Sequence, residues 1–459
     1  MPLSMPFGLR QRGVALMDDD REQHPLDWID GYVARLREFI FVREEDCLLI
    51  KVPNEAHKLN RAGVRMLKAL LDGEGISDFW KRHGGTPEAR RDIYDFFIAL
   101  KRLLQGCVNE QDPPRAVTVR PFALGFNSLP VLSEIAVTYR CNLACRFCYA
   151  GCSCKKGVAG DMSDAEIRRI LRIIREEAQV PSVSFTGGEP TLRPELPAWV
   201  RYARHELGMR VNLITNGTMI DETLAGALAD AGLHSAQVSV EAPLPAVHDA
   251  LVRCDGAHDR AVRAVRLLLD RGVLVHTNST LNRMNLDFAA GMPAFVKGLG
   301  LKRLSMNLVI PTAAAETGDD INVTYTEIGP HILNIQQAAA AAGVEFMWYS
   351  PTPVCLFNPI LHQLGNKGCA ACDGLLSVSP SGDVLPCSSW PEPVGNLLRE
   401  DFRSVWDGVR GKWLREKRFA PDSCQPCEDF ALCQGACPLY WRHFGCAELE
   451  ELCHAVVQG

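Results

Sequence analysis

The chain has 459 residues, 47% of them hydrophobic, so it can bury a large core and is long enough for two to four domains. A formal net charge of −6 gives no electrostatic footprint for nucleic acid. No apolar run is long enough to span a bilayer, and the first residues, MPLSMPFGLRQRGVALMDDDREQ, fit neither a secretory nor a transit leader, which points to the cytoplasm and away from membranes.

Residues 1–108 read as one module. EFIFVREEDCLLIKVP predicts two strands around the charged turn Arg43 to Asp46. LNRAGVRMLKALLDG, ISDFWKRHG and TPEARRDIYDFFIALKRLL predict three helices, the last capped by Thr86 with Pro87 at its first position. Strands followed by three helices make a winged-helix-like α+β domain, and it lacks the dense basic face that DNA binding needs. With LLIKVP, Leu59–Asn60, the Leu70 to Gly73 turn and the final helix, the segment resembles the PqqD-like recognition domains that grip leader peptides of ribosomal precursors. That resemblance implies a leader added as a strand to the sheet edge, with LLIKVP as the expected docking edge. Residues 109–130, rich in proline, read as a linker.

Residues 131–342 alternate strand and helix. SEIAVTY, SVSFT, RVNLIT, SAQVSV, VLVHTNST and LKRLSMNLV are short β-branched runs. Between them lie DAEIRRILRIIREEA, capped by Ser163 with Glu166 as capping-box partner, then PELPAWVRYARHEL, DETLAGALADAG, HDRAVRAVRLLLDRG and DFAAGMPAFVKGLG. Six strands joined by helices call for a parallel sheet with right-handed crossovers, a partial (βα)6 barrel of the α/β class, with active-site residues at the C-terminal strand ends.

Five of the 18 cysteines fall between Cys141 and Cys154, in the loop leaving the first strand. A reducing compartment does not want disulfides there, and CxxCs read as metal ligation. Cys141, Cys145 and Cys148 are spaced CxxxCxxC, which can hold three irons of a 4Fe-4S cluster and leave the fourth open. A zinc site or a structural cluster, with Cys152 or Cys154 as fourth ligand, is the competing reading.

CNLACRFC resembles the CxxxCxΦC signature of the radical S-adenosylmethionine (radical SAM) enzymes, with Phe147 as Φ. The resemblance implies that the open iron chelates SAM, that a reduced cluster cleaves it to a 5′-deoxyadenosyl radical, and that flavodoxin or ferredoxin supplies the electron. Gly187, Gly188, Glu189 and Pro190 match the family's GGEP motif, in which glycines admit close backbone approach and a carboxylate can meet the SAM ammonium. Asn216, Ser239 and Arg253 resemble further SAM-contacting positions. Glu241 stands where the family often has Asp.

Residues 343–459 carry the second cysteine group. Cys372, Gly382 and Cys387, then the CxxCx5CxxxC of Cys424 to Cys437, resemble the SPASM domain with two auxiliary 4Fe-4S clusters. By analogy Cys369, Cys372, Cys387 and Cys437 hold one, and Cys424, Cys427, Cys433 and Cys453 the other. Cys355 could replace Cys369, and Cys446 could replace Cys453; a zinc ribbon is the competing reading of the paired CxxCs. Three clusters, SAM and a peptide-gripping domain imply an enzyme that modifies a ribosomally made precursor peptide, for instance by a thioether or carbon–carbon crosslink. Two alternatives remain: a maturase of a small cofactor such as a modified tetrapyrrole, and a non-catalytic peptide-binding chaperone with structural clusters.

Overall fold

The computed structural model describes residues 24–53, 55–105, 125–152, 160–315 and 321–450. The chain divides into two compact units, Met1–Pro121 and Phe122–Gly459.

The first unit holds an antiparallel sheet of β1 (Ile40–Arg43), β2 (Leu48–Lys51) and β3 (Glu55–Lys58), followed by α2 (Arg61–Leu71), α3 (Ile76–Arg82) and α4 (Pro87–Leu104). Thr86 caps α4 by accepting from the Ala89 N–H, as its sequence signals. A helix before the sheet, α1 (Ile29–Leu36), is absent from the sequence reading; Gly31 and a buried stripe of only Ile29 and Val33 make its signal weak. The expected charged turn is present with Glu44 and Glu45 exposed, while Arg43 is buried and grips Asp46 with two bonds of 2.8 Å. The docking edge expected at LLIKVP is also corrected. β2 is the central strand, paired with β1 on one side and β3 on the other, and Leu48, Leu49 and Ile50 are fully buried. The outer strands of this sheet are β1 and β3.

The second unit is built on one sheet. Six strands, β4 (Leu132–Ala136), β5 (Ser182–Thr186), β6 (Arg210–Thr215), β7 (Ser235–Ser239), β8 (Leu274–Leu281) and β9 (Arg303–Leu308), pair in parallel in sequence order. All six are the strands read from sequence. Alternate residues are buried in β6, β7 and β8, while most residues of β5 and β9 are buried, as in a parallel sheet covered by helices. β10 (Glu345–Trp348) continues the sheet beyond β9, while β11 (Leu375–Val378), β12 (Asp383–Leu385) and β13 (Gly395–Asn396) extend it beyond β4. β4 and β9 do not pair, so the barrel is open. Its curvature follows from one cavity lined by residues of all six strands, from Glu134 to Asn307; in a flat sheet the outer two of six strands would lie roughly 24 Å apart. The C-terminal cysteine-rich stretch shares this sheet and its core, because β11 is hydrogen-bonded to β4 and Trp390, Phe402 and Trp406 join the barrel's apolar cluster.

Helices cover the outside. α5 (Asp164–Arg172) starts with the predicted Ser163–Glu166 capping box. It and α6 (Leu196–Arg201) each pass into a π-turn, at Ile173–Glu177 and Tyr202–Glu206, where the sequence predicts unbroken helices. α7 (Glu222–Asp230) follows β6, and α8 (Pro245–Val252) and α9 (Ala257–Asp270) follow β7. The predicted helix after Asp287 is divided: a 3-10 stretch, Leu286–Gly291, precedes α10 (Met292–Gly298), with Pro293 in the first turn of the latter. No helix among the described residues is long and apolar enough to cross a membrane.

Candidate active site and cluster sites

The loop leaving β4 carries Cys141, Cys145 and Cys148 to the C-terminal mouth of the barrel, where all three line a cavity of about 310 Å3. Backbone bonds hold the loop in place: the Ala144 N–H donates to Val252 O at 3.2 Å and the Arg146 N–H to Leu251 O at 3.0 Å. The anchor is the end of α8, an element the sequence reading did not recognise as a helix; Pro245 at its first turn was the available signal. Leu143, Val252 and Ala257 form an apolar pad against Cys141 and Cys145.

The GG of the GGEP motif is explained by backbone proximity. Gly187 has φ +134°, and a Cβ there would lie 2.2 Å from Thr138 O; a Cβ on Gly188 would lie 2.2 Å from Arg140 O. The close approach is thus to the chain leaving β4, with the Gly188 N–H donating to Thr138 O and the Glu189 N–H to Arg140 O. Glu189 differs from its expected role as a ligand carboxylate. It is buried; Oε1 accepts from the Thr191 N–H, the Thr191 hydroxyl and the Thr215 hydroxyl, and Oε2 from the Asn216 N–H at 2.8 Å. Neither Glu189 nor Pro190 lines the cavity. Glu189 locks the end of β5 to the end of β6, and so positions Asn216.

Asn216 does line the cavity, bonds Asn142 at 3.0 Å and lies 3.9 Å from Cys141 Sγ. Phe147, Ser239 and Glu241 line it as well, as do Gly187 and Gly188. Glu241 is buried, accepts from the Thr280 N–H at 2.7 Å, and is pushed by burial to about 8. Arg253 is not on the cavity wall. It is an exposed residue in the left-handed conformation that ends α8. Sequence reasoning missed the cavity floor, where Asn278 donates to Asn307 at 2.8 Å beneath Thr280, Gln237 and Glu134; these are inward positions of strands, which periodicity marks only as polar.

The donor set fits an iron–sulfur cluster and a cationic cofactor. Burial pushes Cys141 up to about 11 and Cys145 well above its usual range, and the charges of the loop thiols raise one another, so they are close neighbours. Cys148 is lowered to about 6, chiefly by a hydrogen bond from Cys152, which lines the same cavity. Among the described residues no lysine or arginine lines it, although the half-buried Glu134 and the buried Glu241 do. Thiolates at such a place require bound positive charge, which irons and a sulfonium supply. Among the described residues no three His, Cys, Asp or Glu side chains converge tightly enough for a single ion. Cys154 lies outside the described residues.

The second cysteine group separates into two. Cys369, Cys372 and Cys437 are buried; Cys437 and Cys387 both feel the charge of Cys369, Cys387 also that of Cys437, and Cys372 that of Cys369. Cys424 feels Cys433, Cys355 and Cys427 instead. Cys355 therefore lies with the second set rather than replacing Cys369, and the Val354 N–H donates to Cys433 Sγ at 3.5 Å. Among the described residues, Cys446 has Glu450 and Asp422, not thiols, as its charged neighbours. Cys453 lies outside the described residues.

A further cavity of about 600 Å3 opens between the barrel mouth and the C-terminal region, lined by Tyr139, Pro311, Thr312, Asp383, Glu392, Arg442 and His443 among others. It shares Tyr149, Ser388 and Ser389 with the first.

Comparison with known proteins agrees with this geometry. Residues 135–287 match the Radical SAM superfamily, and residues 369–428 match SPASM, an iron–sulfur cluster-binding domain. The chain thus carries a Radical SAM domain and a SPASM domain, which together imply SAM binding and 4Fe-4S clusters. It is 25% identical over 334 residues to the AdoMet-dependent heme synthase of Methanosarcina barkeri, covering 68% of this chain and 92% of that one. It is 28% identical over 331 residues to the PqqA peptide cyclase of Streptomyces rochei, covering 66% and 82%. Among solved structures, Streptococcus suis SuiB bound to its precursor peptide SuiA superposes with a TM-score of 0.67 at 17% identity, over 89% of this chain and 98% of that one.

Proposed function

We propose that this enzyme modifies a ribosomally synthesised precursor peptide, with the leader held by the N-terminal unit and the reacting segment in the larger cavity. The observation that carries the reading is an N-terminal unit with its own core and a three-stranded sheet, which neither the thiol loop nor the cysteine-rich region needs. Similarity to SuiB, described as bound to a precursor peptide, and to PqqA peptide cyclases supports it; the SuiB match covers more of the chain than the second unit alone occupies.

When bound, the cluster at Cys141, Cys145 and Cys148 supplies one-electron cleavage of SAM, fed by a flavodoxin- or ferredoxin-type donor. The chain's own residues hold and shield. Gly187, Gly188 and Asn216 set the backbone and amide groups of the cofactor wall, Ser239 and Glu241 add polar contacts, and the Tyr149–Ser388–Ser389 wall lies between cofactor and substrate spaces. Cys369, Cys372, Cys387 and Cys437 would hold one auxiliary cluster. Cys424, Cys427 and Cys433 would hold the other, with Cys355 or Cys453 as the fourth ligand. A leader tethered to the first unit raises the local concentration of the reacting segment.

Similarity to AdoMet-dependent heme synthases favours a second reading, in which the substrate is a modified tetrapyrrole. One experiment separates them. The reduced enzyme is incubated with SAM and either a precursor peptide encoded beside it or a tetrapyrrole, and mass change is measured. A SAM-dependent mass change in the peptide alone supports the first reading; change in the tetrapyrrole alone overturns it.

A further inference from the structure

Beside the set Cys369, Cys372, Cys387 and Cys437 lies a fully buried lysine, Lys417. Its ammonium donates to the backbone oxygen of Cys369 at 2.6 Å and to Asp373 Oδ2 at 2.7 Å. Two residues earlier, the Arg415 guanidinium donates to the backbone oxygen of Cys372 at 3.3 Å and to Trp406 O at 2.8 Å. The carbonyls of both cysteines in the CxxC are therefore held by cations from a single turn of chain. That turn ends the helix Val409–Arg415; beyond it the Lys417 N–H donates to Leu414 O and Lys417 itself sits at φ +53°.

Burying an ammonium costs several kcal/mol unless it is paired, and a methionine would fill the same space without that cost. The loop it holds is itself in an uncommon conformation, with Cys372 at φ +46°, which persists only when its surroundings fix it.

We propose that Lys417, assisted by Arg415, is a positioning residue that fixes the Cys369–Cys372 ligand loop and raises the reduction potential of the cluster held there. The inference rests on the reading of Cys369, Cys372, Cys387 and Cys437 as one 4Fe-4S site. A fixed positive charge in a dry interior favours the reduced, more negative state of a thiolate-ligated cluster, and a fixed negative charge disfavours it.

The test uses the full chain with Cys141, Cys145 and Cys148 replaced by alanine, so that only auxiliary clusters remain, and an anaerobic redox titration followed by electron paramagnetic resonance. Lys417→Met should lower one of the two midpoints and Asp373→Asn should raise the same one, while Lys417→Arg stays near the parent and the second midpoint does not move. Unchanged midpoints in both neutralised variants at full iron content overturn the inference. Should Lys417→Met fail to retain iron, Asp373→Asn decides alone: an upward shift supports the proposal, and none overturns it. A parent with no auxiliary iron removes the cluster reading itself, an outcome visible before any variant is compared.

Discussion

Burial drives the thiols of Cys141 and Cys145 above their usual range, so these two become thiolates only with positive charge bound beside them. Replacing Cys141, Cys145 and Cys148 together by alanine should abolish reductive cleavage of SAM to 5′-deoxyadenosine and methionine while roughly eight irons remain in the auxiliary sites. Continued cleavage by the triple variant, assayed by chromatography of the products, would place the active site elsewhere. A neighbouring residue sets a pH dependence. His248 is buried, its Nδ1 accepts the Glu241 N–H at 3.0 Å, and burial, reinforced by His258, lowers it from 6.5 to about 4. Below pH 6.5 the unfolded chain gains a proton that the folded chain refuses until about pH 4. The stability this group contributes is therefore complete above pH 6.5 and lost as pH falls through that window. His248→Asn keeps an acceptor without the titration. Between pH 7 and 5 it should lose less stability than the parent by up to about 2 kcal/mol, read from denaturant unfolding; equal losses would show that His248 is not held neutral.

At the scale of elements, the pairing of β2 on both sides changes what a proline there would do. Ile50→Pro removes a ladder donor from a fully buried central strand, so the first unit should unfold rather than lose a docking edge. β3 is an outer strand, with Glu55 and Lys58 exposed and His57 half-buried. Successive N–H groups of an outer strand point alternately inward and outward, so proline at 56 or at 57 removes an outward donor. One of these two variants should weaken binding of a full-length precursor while peptide-independent SAM cleavage continues. If both bind the precursor as the parent does, measured by calorimetry with the fold checked by circular dichroism, β3 is not the docking edge. The same scale explains the divided helices. The residues of PELPAWVRYARHEL are good helix formers, and the insertion of a π-turn at Tyr202–Glu206 depends on what the helix packs against, which local propensity does not encode.

Across the whole molecule, the thiol sets predict composition. Anaerobically reconstituted protein should carry roughly twelve irons in three cubanes. Cys355→Ser should perturb the second auxiliary cluster, seen as iron loss or an altered spectrum, whereas Cys446→Ser should leave it intact. A full complement in Cys355→Ser together with loss of roughly four irons in Cys453→Ser would assign the C-terminal thiol instead.

The sequence alone determined the six parallel strands, the placement of CxxxCxxC and GG at successive strand ends, and the Ser163 and Thr86 caps. These rest on local patterns: strand period, cap chemistry and glycines where a Cβ has no room. Their spacing also suffices for the family resemblance of the two cysteine groups. Tertiary structure alone decided that β2 is central, that Glu189 bonds inward to β6 while Arg253 faces solvent, that α8 anchors the thiol loop, and that Cys355 joins Cys424, Cys427 and Cys433. Each of these depends on which distant segment lies alongside. Strand order, the direction of a side chain and the gathering of thiols some seventy residues apart arise when the sheet curls and the core closes, and no local pattern carries that information.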